Sequence, residues 1–177
     1  MTLAIAQEPA DSADARALLA ARDAENFKRY PPEARFAIPA DAHVGEAIVF
    51  LVARDNGAAI GCGALERHEG YGEMKSVFLL PSARGRRLGQ EIVRALEQAA
   101  RGLGYDEMRL ETGIRSPWAI KTYERAGYRR CARFGDYPEA LLSVFMMKRL
   151  PADGPAVRAA RQANAFETGE MIQGEQP

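Results

Sequence analysis

Residues 84 to 89 read Arg-Gly-Arg-Arg-Leu-Gly and stand between an apolar run, Val77 to Pro81, and a segment with the spacing of a helix. A helix start already behaves as roughly half a positive charge, so each cation added there costs about 0.3–1 kcal/mol. A bound anion would offset that cost, because the first turn of a helix leaves roughly four backbone N–H groups without partners. Gly85 and Gly89 allow backbone to come close to such a ligand, and Arg84, Arg86 and Arg87 can add charge-assisted hydrogen bonds to phosphate oxygens. Taken alone, the six residues fit a solvated surface turn equally well. They match neither the P-loop pattern GxxxxGKS/T nor the dinucleotide fingerprint GxGxxG, so the rest of the chain has to name the anion.

Few other residues offer a competing chemistry. Cys62 and Cys131 form no CxxC pair and both fall in apolar strand patterns, which favours a core role over a nucleophilic one. His43 and His68 complete no zinc-ligand spacing, so no metal is expected. The 24 basic and 24 acidic residues cancel, which removes a global electrostatic footprint for nucleic acid or an anionic membrane and makes any charged site local. The stretch Met1 to Arg16 lacks the basic-then-apolar order of a secretory leader, and no apolar run is long enough to span a bilayer. A cytoplasmic chain with reduced thiols is the expectation.

The elements that must position these residues follow from periodicity. A short strand over residues 2–7 precedes a helix capped by Asp11 or Ser12 and stopped by Pro31 and Pro32. Residues 31–46 carry helix and strand breakers and read as a mobile loop. The apolar run 47–53 suits a buried strand, and Asn56-Gly57 predicts a type I′ hairpin turn into residues 58–66. A further glycine-containing turn leads to residues 73–81, giving a three-strand meander. Leu88, Ile92, Leu96, Ala99 and Leu103 mark one helix face that ends at Gly102 and Gly104. A strand ending at Glu111, a helix with Ser116 as N-cap and Pro117 at its first position, and strands at 128–134 and 143–150 complete the pattern. This order predicts one domain over residues 1–150, a mixed sheet with helices packed on it, followed by a flexible tail over 151–177.

Residues 77 to 130 resemble two linked motifs of the GCN5-related N-acetyltransferase (GNAT) family. The first is a strand, a turn Q/R-x-x-G-x-G/A and a helix; Arg84, Arg87 and Gly89 stand at its marked positions, with Arg87 where the family has glycine. The second, N-x-x-A-x-x-x-Y-x-x-x-G-F/Y, is matched by Ser116, Ala119, Tyr123, Gly127 and Tyr128, with Ser116 in place of the common asparagine. The resemblance implies an α/β (α+β) fold with a mostly antiparallel, mixed central sheet of about seven strands flanked by helices. It also implies acetyl-CoA as co-substrate. Phe78 and Leu79 would bond the pantetheine arm through their main chain, and Arg84, Gly85, Arg86, Arg87, Leu88, Gly89 and Gln90 would carry the phosphates. Ser116, Ala119 and Tyr123 would complete the coenzyme site, with Tyr123 protonating the departing thiolate.

Acetyl transfer to an amine needs a neutral nitrogen, while an alkyl ammonium titrates near about pH 10, so a base or a water relay must remove a proton. Glu73 resembles the glutamate base of histone-type members of the family, and Glu111 could bind a cationic acceptor or pass its proton through water. The N–H of Leu79 or Leu80 could face the oxyanion. Glu66, His68 and Glu69 would make the acceptor end acidic, whereas Arg115 could read an acceptor carboxylate. Asp136 and Tyr137 sit on a loop where acceptor contacts are plausible. The function implied is N-acetylation of a primary amine, a small molecule being favoured, by direct attack in a ternary complex. A protein lysine or N-terminus as acceptor, or a non-catalytic acyl-CoA sensor, are the alternatives. A homodimer is compatible with the resemblance.

Overall fold

The apolar run expected as a buried strand forms β2 (Ile48–Asp55), flanked by β1 (Leu3–Gln7) and β3 (Ala58–His68). These elements belong to a computed structural model that describes residues 2–36, 45 and 48–151. Most of the expected loop at 31–46 and nearly all of the expected tail lie outside the described residues. The hairpin between β2 and β3 turns at Asn56 (φ 49°) and Gly57 (φ 88°), the pair of positive angles a type I′ turn requires. Then follow β4 (Tyr71–Leu79), β5 (Glu107–Gly113), β6 (Arg129–Arg130) and β7 (Ser143–Arg149), in the spatial order β1-β2-β3-β4-β5-β7-β6. Every neighbouring pair is antiparallel except β4 with β5.

Helices cover both faces. α1 (Ala13–Arg29) packs Leu18 and Leu19 on Phe50, Val52, Cys62 and Phe78, and Ser12 caps its start by accepting from the Ala15 N–H at 3.2 Å. α2 (Leu88–Gly102) and α3 (Pro117–Arg125) cover the other face, where Ile92, Leu96 and Ile120 meet Leu65, Met74, Met108, Leu110 and Met146. One expectation is corrected. The strand expected at 128–134 shrinks to Arg129–Arg130, plus one bond from the Cys131 N–H to the Phe145 carbonyl at 2.9 Å. It is an edge strand whose two residues are exposed, so little burial rewards its extension. Ser116 stands at the N-cap of α3 but makes no side-chain cap bond; its hydroxyl meets that of Tyr30 at 3.0 Å instead.

Candidate active site

β4 and β5 pair only over Gly72–Met74 against Met108–Leu110, although β4 runs on to Leu79 and β5 to Gly113. Past Met74 the two strands part, and a cavity of about 450 Å³ opens in the gap. Its walls are the second half of β4, the turn after it, the end of β5, one side of α3, the end of α1 and Tyr137. A strand edge with no sheet partner offers free backbone donors and acceptors, which suits an extended arm carrying amides.

At one end lies the arginine turn. Gly85 (φ 83°) and Arg87 (φ 60°) are both left-handed, so successive N–H groups converge on one concavity at the start of α2. None of the N–H groups of Gly85, Arg87, Leu88 and Gly89 donates to a backbone carbonyl among the described residues, whereas that of Gln90 reaches the Arg87 carbonyl at 3.0 Å. The three arginines divide. Arg84 is held by the Leu79 carbonyl at 3.0 Å and by Glu25 of α1 at 2.6 Å, and Arg86 by Asp55 at 2.7 Å. Burial pushes the Glu25 carboxyl up, but the hydrogen bonds from Arg84 and Arg29 outweigh it and hold that group below its ordinary value. Arg87 is exposed, lines the cavity and has no side-chain partner among the described residues. Of the three arginines expected to reach phosphate, Arg87, which stands where the family has glycine, is thus the one whose side chain is uncommitted among the described residues.

The middle of the cavity is formed by α3. Ser116, Ala119 and Tyr123 all line it, as do Phe78 and Leu79 of β4. The Tyr123 ring is buried and meets Tyr128 edge-on at 6.0 Å, while its hydroxyl has no hydrogen-bond partner among the described residues. Burial, with a smaller contribution from Glu111, pushes the Tyr123 phenol well above its ordinary value, so it stays protonated and able to donate at neutral pH. Unpaired backbone donors at the turn and the split between β4 and β5 are both fitted to a phosphorylated, amide-bearing ligand. One oxyanion donor considered from sequence is used elsewhere, since the Leu80 N–H bonds the Ile60 carbonyl at 2.9 Å.

At the far end, Glu111 lines the cavity and accepts from the Ser143 hydroxyl at 2.5 Å. Burial raises the Glu111 carboxyl above its ordinary value, against that hydrogen bond and the nearby charge of Lys75. Glu73 is only 2% exposed and is not a wall residue: Tyr137 and Lys75, which are, stand between it and the cavity. Its carboxylate accepts from the Tyr137 hydroxyl at 2.5 Å and from Lys75 at 2.8 Å, with His68 Nε2 at 3.2 Å on the other oxygen. Arg115 does not line the cavity; its guanidinium is exposed and donates to the Arg29 carbonyl at 2.7 Å.

Sequence reading passed over several wall residues. Tyr30 presses on Gly113, where a Cβ would come within 2.2 Å of the Tyr30 hydroxyl. Arg22, 5% exposed, bonds the Ser76 hydroxyl and ties α1 to a kink in β4, since Ser76 is left-handed (φ 54°) where the β3–β4 register shifts. Lys75 carried no signal beyond its place on a strand. Tyr137 was legible only as a loop residue, because nothing local ties it to Glu73.

Residues 14–128 match the profile of the acetyltransferase (GNAT) family. The IAA acetyltransferase of Azospirillum brasilense is 37% identical over 123 residues, covering 68% of this chain and 80% of that protein. The uncharacterized N-acetyltransferase YsnE of Bacillus subtilis (strain 168) is 34% identical over 123 residues, 68% of this chain and 82% of its own. A solved structure from Klebsiella pneumoniae, assigned to the acyl-CoA N-acyltransferases, superimposes with a TM-score of 0.73 at 36% identity, covering 85% of this chain and 99% of the other. The fold is also that of the PaiA N-acetyltransferase of Thermoplasma acidophilum, solved with coenzyme A, at a TM-score of 0.63, 18% identity and coverage of 84% and 99%. With the profile spanning most of the folded residues and relatives this similar on both counts, the chain belongs to the GCN5-related N-acetyltransferase family and is an acyltransferase.

Proposed function

We propose that this chain transfers the acetyl group of acetyl-CoA to a primary amine on a small molecule, by direct attack in a ternary complex. The observation that carries the reading is the unpartnered Tyr123 hydroxyl, which borders one continuous cavity running from the arginine turn to Glu111. Acetyl-CoA, when bound, supplies an activated thioester. The N–H groups of Gly85 and of residues 87–89, with the Arg87 guanidinium, would hold its phosphates, and the open edge of β4 near Phe78 and Leu79 would hold the pantetheine arm. Ser116 and Ala119 would shape the wall of α3 beside it. Tyr123, kept in its acid form by burial, would donate to the sulfur as the thiolate leaves.

A small acceptor is favoured by the walls. Tyr30, Phe36 and Tyr137 line the cavity, with Phe36 and Tyr137 in edge-on contact at 5.5 Å, and these aromatic walls narrow the acceptor end to the size of a small molecule. Glu111 supplies the carboxyl that would attract the amine. The test is coenzyme A thiol release measured over a panel of primary amines, including a lysine-containing peptide. Release with a small amine is expected, and Tyr123→Phe should lower turnover by about tenfold or more. The dissociation constant for coenzyme A should change little in that variant. Background release with every amine, while acetyl-CoA still binds, would establish a coenzyme sensor instead.

A further inference from the structure

A carboxylate sealed behind two cavity-wall side chains cannot touch an acceptor amine, yet Glu73 is held in a chain of groups that leads from the cavity to solvent. Tyr137 lines the cavity and donates to Glu73 Oε1 at 2.5 Å. Lys75 donates to the Tyr137 oxygen and lies 2.8 Å from the same carboxylate, so the tyrosine's own hydrogen is directed at Glu73. On the far side, Glu73 Oε2 faces His68 Nε2 at 3.2 Å. That nitrogen is buried and makes no hydrogen bond among the described residues, although the His68 side chain as a whole is 33% exposed. Glu66 flanks it at 3.6 Å, and Tyr71 stacks flat on the imidazole at 4.9 Å, fixing the ring plane.

We infer that Tyr137, Glu73 and His68 form a side-chain proton relay that carries the proton of the acceptor ammonium from the cavity to bulk water. The inference rests on the N-acetyltransferase reading above and names how the acceptor is made nucleophilic. The ammonium N–H proton passes to the Tyr137 oxygen as the tyrosine's proton moves to Glu73 Oε1. The protonated carboxyl turns to carry its proton on Oε2 and yields it to Nε2 of His68, and Nδ1–H of the imidazolium releases one to water. One proton enters at Tyr137 and one leaves from His68, so the count balances without a further reactant; the imidazole is left as its Nε2–H tautomer, which exchange with solvent resets before the next turnover. Lys75 is the positioning residue: it holds the Glu73 carboxylate at 2.8 Å and, by donating to the Tyr137 oxygen, orients the phenol. The groups facing Glu73 are Glu66 and His68 from β3, Tyr71 and Lys75 from β4, Arg109 and Glu111 from β5, and Tyr137 from the loop before β7.

The experiment measures kcat/KM against pH for the wild type, Tyr137→Phe, Glu73→Gln and His68→Asn, with an amine found active in the panel. In the phenylalanine and glutamine variants the acid limb should move up toward the amine's own value near about pH 10. Their loss should be about a hundredfold at neutral pH and should shrink in base, where the amine is already neutral. His68→Asn should lose less, about tenfold, and regain rate with added imidazole. A uniform loss at every pH, or an unmoved acid limb in Tyr137→Phe, would overturn the relay. If that variant does not fold, absence of imidazole rescue in His68→Asn decides against it. No turnover by the wild type with any amine would sink the underlying reading instead.

Discussion

Arg87 holds a left-handed backbone that costs a residue with a Cβ about 1 kcal/mol, and the family pattern has glycine there. Its side chain is also the turn's unpaired cation, so replacing it separates two effects. Arg87→Gly should raise the thermal midpoint by about 2–4 °C while weakening coenzyme A binding and flattening its dependence on salt. Calorimetry and titration at two ionic strengths read both. Glu111 poses a different question, because burial raises its carboxyl above the ordinary value. A carboxyl that holds its proton more tightly when folded makes ionisation cost stability, a cost absent below the unfolded value and complete above the folded one. Glu111→Gln should therefore raise the melting temperature at neutral pH, with the gain vanishing below about pH 4. An equal gain at both would mean that packing, not charge, sets the effect.

Among the described glycines, the tightest fit is that of Gly113 in β5 against Tyr30 at the end of α1. Gly113→Ala would drive a Cβ to 2.2 Å from the Tyr30 hydroxyl and should destabilise by about 1–3 kcal/mol in denaturant unfolding. Gly89→Ala, whose Cβ would meet only Thr122 Cγ2 at 3.6 Å, is the tolerated control. Elements of this kind were largely readable in the sequence. The apolar run at β2, the Asn56-Gly57 turn and the helical stripe from Leu88 are local patterns, and local patterns report local structure. The turn at 84–89 and the face of α3 that line the cavity were readable for the same reason, since each is a local pattern. The far end of the cavity was not. Tyr137 reaches Glu73 across 64 positions of chain, Tyr30 reaches Ser116 across 86, and Arg115 turns to the end of α1, all settled by packing alone. The kink at Ser76 has no glycine to announce it, and the exposed Arg129–Arg130 edge offered no burial from which to judge its length.

At the scale of the molecule, the sheet is two antiparallel halves, β1 to β4 and β5-β7-β6, joined by a parallel ladder of three residue pairs. A ligand seated in the gap would bridge the halves, so coenzyme A at about a hundred times its dissociation constant should stabilise the fold by about 2.7 kcal/mol. Hydrogen exchange should slow in residues 76–80 and 85–89 together, and slowing confined to the turn would mean that the ligand leaves the gap open. The left-handed Ser76 has a consequence for how β4 counts its residues. Met74 and Val77, three apart, both face the α2 side, whereas Phe78 joins the α1 side that alternation from Met74 assigns to Glu73 and Lys75. Odd and even exchange meaning halfway along the strand. Glu73 and Phe78 thus share a face that an unbroken strand would deny them. Straightening the kink with every residue kept would turn Phe78 into the α2 core and Leu79 out of it, whereas deleting Ser76 would restore plain alternation and leave both on their present faces.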